Sequence, residues 1–338
     1  DADVIIYACK LWQSIVLCAA QKSTNIPLNL LNQVKLVTSF FYINMTQYLL
    51  SFVMTPFRFL IISGLAILAC PMPAQSEIIE ETVRVPANIQ AAAGVVVEHQ
   101  LVMTIVRDTK QKKSPYIIIH HGRPDSPIRF AVMGQQRYPA NANYFVAKGF
   151  VVLIPTRIGY GLTGGSDVEY TGECENKNYL RGVAPLVSET KQILSYAEKL
   201  SYVDTSRGLV LGESFGGIGA IAMASSELSS VIGVVNISGG DGGSLEHLEK
   251  PCRPDQLSDA FTSYGKTNRV PSLWMYSQND RYWGTRYPKQ WFDAFKQAGG
   301  KAEFVNLPAD KNNGHYIFVR NPEAWHPAFE GFIRQLGF

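Results

Sequence analysis

Three short, nearly unbroken apolar runs limit what this chain can fold into more than any other feature: YIIIH at 116–120, VVLIP at 151–155 and GVVNI at 233–237. Runs this brief and this continuous suit strands buried on both faces of a parallel sheet. Further strands are expected at 78–85, 95–107, 208–211, 273–277 and 302–307. Helices are expected between the later ones, at 141–148, 186–200, 215–225, 256–264, 288–298 and 322–336. Pro288 suits the first turn of its helix, and Gly299-Gly300 stops it. The alternation predicts an α/β architecture, a mostly parallel sheet with helices on both faces. The two opening strands alternate apolar with polar residues and are expected to be antiparallel and peripheral. One domain of roughly 260 residues accommodates all of this, spanning 77–338.

Composition agrees with a packed core, since 46% of residues are apolar and 17% charged. Lys and Arg number 31 against 28 Asp and Glu, a net +3 that gives no reason to expect nucleic acid as a partner.

The stretch before residue 77 reads differently. From Met54 it runs MTPFRFLIISGLAILACPMPAQS, with Arg58 as a basic start, a short apolar centre and small residues at Ala74 and Ser76. That is the pattern of a cleaved secretory signal over 54–76, too short to span a bilayer unaided. Export to the periplasm or the extracellular space is therefore expected. No membrane partner is expected for the mature form unless the segment is retained or Cys70 is lipidated. Residues 1–53 are then a doubtful extension ahead of the signal. Of the five cysteines, Cys174 and Cys252 lie beyond the signal, and in an oxidising compartment they are expected to pair.

Chemistry concentrates at Gly212-Glu213-Ser214-Phe215-Gly216. Chance yields roughly 0.1 such G-x-S-x-G pattern in a chain this long, so the pattern alone is moderately specific. Its setting is more telling, because an apolar strand precedes it and a small-residue helix follows it, as a serine raised on a sharp turn requires. A serine hydroxyl needs a neighbouring base. His315 combines a loop position with the chain order Ser…Asp…His, whereas His99, His247 and His326 suit packing or surface roles. Asp280 follows the strand at 273–277 and is expected to orient the imidazole, with Asp241 in reserve. Backbone N–H groups of Phe215 and Arg123 are the expected donors to a developing oxyanion. Adjacent His120 and His121 point to opposite faces of their strand, and no metal is predicted.

The segments HHGRP, PTRIGYGLTGG, GESFGG, SQNDRYWG and NNGHYIF together resemble the dienelactone-hydrolase-like and prolyl-oligopeptidase-like branch of the α/β-hydrolases. The resemblance covers about 77–338. It implies the α/β-hydrolase fold and hydrolysis of esters, lactones or short peptides without a cofactor. By position it gives Ser214, Asp280 and His315 the triad roles, and Phe215 and Arg123 the oxyanion roles. Dienelactone hydrolases proper use a cysteine nucleophile, so serine at 214 favours a carboxylic ester hydrolase acting on small-molecule or polymer-attached acyl esters. An S9-like serine peptidase and an acyltransferase are the alternatives, and a non-catalytic binding relative is a third. No large cap domain is expected, and Tyr160, Trp283 and Tyr316 are expected to line a shallow site.

Overall fold

The computed structural model describes residues 77–338. The signal at 54–76, the preceding extension, and Cys9, Cys18 and Cys70 lie outside the described residues. Strands β1 (Ile78–Gln90), β2 (Val96–Asp108), β3 (Ser114–His120), β4 (Val151–Thr156), β5 (Val203–Glu213), β6 (Val231–Ile237), β7 (Ser272–Ser277) and β8 (Ala302–Leu307) form one sheet. Their order across it is β1-β2-β4-β3-β5-β6-β7-β8, so all eight strands are joined. β1 pairs antiparallel with β2, and β2 with β4; every pairing from β4 to β8 is parallel. The peripheral antiparallel pair and parallel centre are the arrangement expected from sequence.

Successive side chains of the central strands enter opposite layers, which is why those strands are apolar at nearly every position. Tyr116, Ile118, Leu153, Val210, Val234, Trp274 and Tyr276 enter one core. Their strand neighbours Ile117, Ile119, Val152, Leu211, Val235, Leu273 and Met275 enter the other. The first layer is covered by helices α3 (Tyr179–Ala197), α4 (Phe215–Ala224), α5 (Pro254–Thr267) and α6 (Arg286–Gln297). The second is covered by α2 (Pro139–Ala147) and α8 (His326–Gln335). Two short helices, α1 (Pro127–Ala131) and α7 (Ile317–Arg320), complete the described set. Among the described residues no helix is long and apolar enough to cross a membrane.

Several elements depart from the sequence expectation: β5 starts at Val203 and not at 208, and α1 and α7 were not expected. β1 runs on past Val85 and through Pro86 to Gln90. Proline is tolerated there because β1 is an edge strand, with one side free of ladder bonds. α3 starts at Tyr179, well before Leu186, despite Gly182 and Pro185. Asn178 caps it, accepting from the Arg181 N–H at 3.0 Å, and burial of Tyr179, Val183 and Leu186 offsets the poor local propensity. The terminal helix is interrupted, with a 3₁₀ turn at Pro322–Ala324 and α8 beginning only at His326, where Pro327 fits the first turn.

Cys174 and Cys252 form a disulfide, their Cα atoms 5.0 Å apart and 78 residues apart in sequence. The bridge joins the excursion after β4 to the one after β6. The Tyr179 hydroxyl donates to the Cys252 carbonyl, and Arg253 Nη1 donates to the Glu175 carbonyl at 3.1 Å. Replacing both cysteines by Ser is expected to lower unfolding stability by about 4 kcal/mol at most, the chain-entropy value for so long a loop. Urea denaturation under non-reducing conditions measures it, and an unchanged midpoint would contradict a stabilising role.

Candidate active site

Strand β5 delivers Ser214 to the C-terminal edge of the sheet, and α4 leaves at once from Phe215. Between them Ser214 has φ 53° and ψ −121°, a left-handed conformation that serine seldom adopts. Strain of this kind costs on the order of 1–3 kcal/mol and persists where the surroundings dictate it. The dictation is visible in the bonds. The Ser214 N–H donates to the Ile237 carbonyl at 3.0 Å, and the Ser214 carbonyl accepts from Gly217 at 2.9 Å and Gly240 at 3.1 Å. The flanking glycines are required by contact. A Cβ on Gly212 would lie 1.9 Å from the Gly216 carbonyl oxygen, and one on Gly216 would lie 2.3 Å from that of His120.

Asp280 and His315 arrive on two neighbouring loops. Asp280 follows β7 and is fully buried; its Oδ1 accepts from the Tyr282 N–H at 2.9 Å and the Trp283 N–H at 3.2 Å. Its Oδ2 lies 2.9 Å from His315 Nδ1. One carboxylate oxygen is thus anchored by backbone and the other faces the imidazole. Asn313 ties the loops together, its Oδ1 accepting from the His315 N–H at 3.0 Å and the Arg281 N–H at 3.1 Å. Asn279 adds to this, accepting from the Asp310 N–H at 2.9 Å. Aromatic rings surround the imidazole, with centroids at 4.2 Å for Tyr282, 5.4 Å for Trp283 and 5.5 Å for Tyr316.

Ser214 and His315 have a neighbour in common. The Trp283 ring packs against both His315 and Gly240, and Gly240 bonds the Ser214 carbonyl. His315 bonds Asp280 and not Ser214. Catalytic hydrogen bonds are commonly loose without substrate and tighten in its complex.

The loop after β3 lies over the serine: a Cβ on Gly122 would sit 3.1 Å from Ser214 Cβ. The Arg123 side chain turns away, paired with Asp167 through Nη1 at 2.9 Å and Nη2 at 2.5 Å. Burial opposes its charge, but the Asp167 pair prevails and lifts the guanidinium pKa.

Beneath this loop is a closed polar network. Arg157 is buried and binds Glu169 at 2.6 Å and the His121 carbonyl at 2.5 Å. Burial pushes Glu189 well above the usual carboxylate range, the nearby Glu169 charge adding to it. Burial, with Arg157 beside them, holds His120 and His121 far below the usual histidine range, so both rings are neutral at physiological pH. His120 meets Thr190 Oγ1 at 2.9 Å and His121 receives the Arg157 N–H at 3.1 Å, on opposite sides of the strand end.

The aromatic residues expected at a pocket divide. Tyr160 is fully buried, its hydroxyl bonded to Glu169 at 2.8 Å and Arg123 at 2.7 Å, so it braces the floor and lines no open groove. Trp283 is 2% exposed and backs the imidazole, its Nε1 donating to the Ser238 carbonyl at 2.8 Å. Tyr316 is half-buried and meets the Tyr282 hydroxyl at 2.9 Å, at the rim. Asp241 accepts from Thr171 Oγ1 at 2.7 Å and bonds no histidine. Asn279, Asn313 and Glu213 were not singled out from sequence. Their signal was adjacency alone, since each lies within two residues of a triad position.

The sheet order, the strained serine between β5 and α4, and the placing of Asp280 and His315 on the loops after β7 and β8 agree with the α/β-hydrolase fold, and the chain has it. Solved structures with the same fold include an acylaminoacyl peptidase from Pyrococcus horikoshii, with a TM-score of 0.52 and 12% identity over 77% of this chain and 41% of that one. Est1E from Butyrivibrio proteoclasticus, solved with ferulic acid bound, has a TM-score of 0.50 and 16% identity over 70% of this chain and 95% of that one. The chain thus spans 41% of the length of the peptidase. No protein-family model matches the chain, and no curated protein sequence matches it.

Proposed function

We propose that this protein is an exported serine hydrolase that cleaves carboxylic esters through an acyl-enzyme on Ser214. The observation that carries the reading is the Asp280–His315 hydrogen bond of 2.9 Å beside a serine held at φ 53°. Asp280 fixes the tautomer in which His315 Nδ1 carries the proton, which leaves Nε2 as the base. Nε2 takes the Ser214 proton as Oγ attacks the acyl carbon, and returns it to the leaving alcohol. Water then attacks the acyl-enzyme by the same route in reverse order of proton transfer. The N–H groups of Phe215 and Arg123 receive the oxyanion, donors of a kind worth about 100- to 1000-fold in rate. The disulfide supports export, since such bonds persist in oxidising compartments.

The fold neighbours include a peptidase as well as Est1E, so the test must separate amides from esters. The protein is incubated with a fluorophosphonate probe, then with a panel of acyl esters and aminoacyl anilides, with and without an acceptor alcohol. Labelling, with ester turnover exceeding amide turnover, is expected. Faster amide cleavage would move the protein to the peptidases, and transfer to the alcohol in preference to water would make it an acyltransferase. A protein that takes no label would not be a serine hydrolase.

A further inference from the structure

Nothing in triad chemistry calls for a carboxyl directly before the nucleophile, yet Glu213 stands there, half-buried, at the end of β5. Its Oε1 accepts from the Tyr138 hydroxyl at 2.6 Å. A carboxyl in this position is unfavourable on solvation grounds, and burial does raise its pKa. An apolar side chain would avoid that cost. The acid at this position therefore points to work done by the oxygen that Tyr138 meets.

What that oxygen joins is specific. The turn it stands on is packed by the loop after β3, where a Cβ on Gly122 would lie 3.1 Å from Ser214 Cβ. Tyr138 precedes α2 in a left-handed conformation at φ 45°, a backbone state that tyrosine seldom adopts. Its ring lies 5.4 Å from Phe318, three residues after His315, and Asn141 Nδ2 on α2 donates to the Phe318 carbonyl at 3.0 Å. One carboxyl thus connects the serine turn, through Tyr138, to the segment following the histidine.

We infer that Glu213 is a positioning residue, with Tyr138 as its partner, that clamps the His315 segment to the turn that carries Ser214. The inference rests on the serine-hydrolase reading. Atoms so held matter because a misplacement of about 1 Å in such a site costs about 100-fold in rate.

The test measures kcat and KM on the best ester of the panel for the parent, Glu213→Ala, Glu213→Gln, Tyr138→Phe and the double variant Glu213→Ala/Tyr138→Phe, beside fluorophosphonate labelling of the parent. Glu213→Ala is expected to lower kcat about 100-fold with KM within about threefold, because ground-state binding is untouched. Tyr138→Phe should lower kcat about tenfold, and the double variant should match Glu213→Ala, since both changes break one connection. Glu213→Gln keeps an acceptor oxygen for the Tyr138 hydroxyl and should recover at least about tenfold over Ala. A kcat for Glu213→Ala within about threefold of the parent, a loss expressed in KM, or losses that multiply in the double variant would each overturn the clamp. If Glu213→Ala does not melt cooperatively, Tyr138→Phe decides, and an unchanged kcat there overturns the proposal. A parent that fails to label defeats the hydrolase reading itself; a parent that labels beside indifferent variants defeats only the clamp.

Discussion

Ser214→Ala is expected to abolish fluorophosphonate labelling and to lower ester turnover by about a million-fold, the scale on which removing such a nucleophile acts. The magnitude follows from the geometry of the turn. Ser214 is held at φ 53° by bonds from its own N–H and carbonyl, and none of these involves its hydroxyl. Alanine keeps the Cβ and the same backbone bonds, so the elbow and the melting temperature are expected to persist while the attacking oxygen is gone. What remains is the oxyanion donors and substrate binding, which sustain only a slow reaction. Turnover within about tenfold of the parent would place the nucleophile elsewhere and remove the triad from the protein.

Asp280→Asn is expected to cost about 10,000-fold in kcat with little change in KM. The reason lies in the division of labour between the two carboxylate oxygens. Oδ1 accepts from the N–H groups of Tyr282 and Trp283, so an asparagine must place its amide oxygen there. Its NH₂ group then faces His315 Nδ1, where a carboxylate oxygen now lies at 2.9 Å. The imidazole can accept that donor only by moving its proton to Nε2, the atom that must take the proton from Ser214. Burial gives the amide no room to turn, because Asp280 is fully buried. Asp241→Asn should by contrast stay within about threefold, since its Thr171 bond survives in an amide oxygen. Near-normal turnover in Asp280→Asn together with a crippled Asp241→Asn would reverse the assignment.

Much of this was legible before any coordinates. The runs at 116–120 and 151–155 read as doubly buried strands because their neighbouring residues serve opposite layers, and both became central strands. The placement of Ser214 at a strand end, and of Asp280 and His315 in loops after strands, was readable from local context. The pairing of Glu213 with Tyr138 was not, because 75 residues separate them and no local pattern announces a hydroxyl aimed at a carboxyl. Tyr160 was misplaced for the same reason. Its position near a strand end suggested a pocket, but its partner Glu169 turns it inward to a buried guanidinium.

By itself the sequence determined the layered sheet, the strand–turn–helix around Ser214 and the order in which its three chemical groups follow along the chain. Hydrophobic period and the small size of the flanking glycines are short-range properties, so they can be read within a few residues. The tertiary structure alone decided the passage of β1 through Pro86, the onset of α3 at Tyr179 and the meeting of Tyr138 with Glu213. Each depends on which elements lie side by side, β1 at the sheet edge against β2 and β3 between β4 and β5 at its centre. That adjacency is set by burial summed over the whole sheet, a quantity no single segment carries.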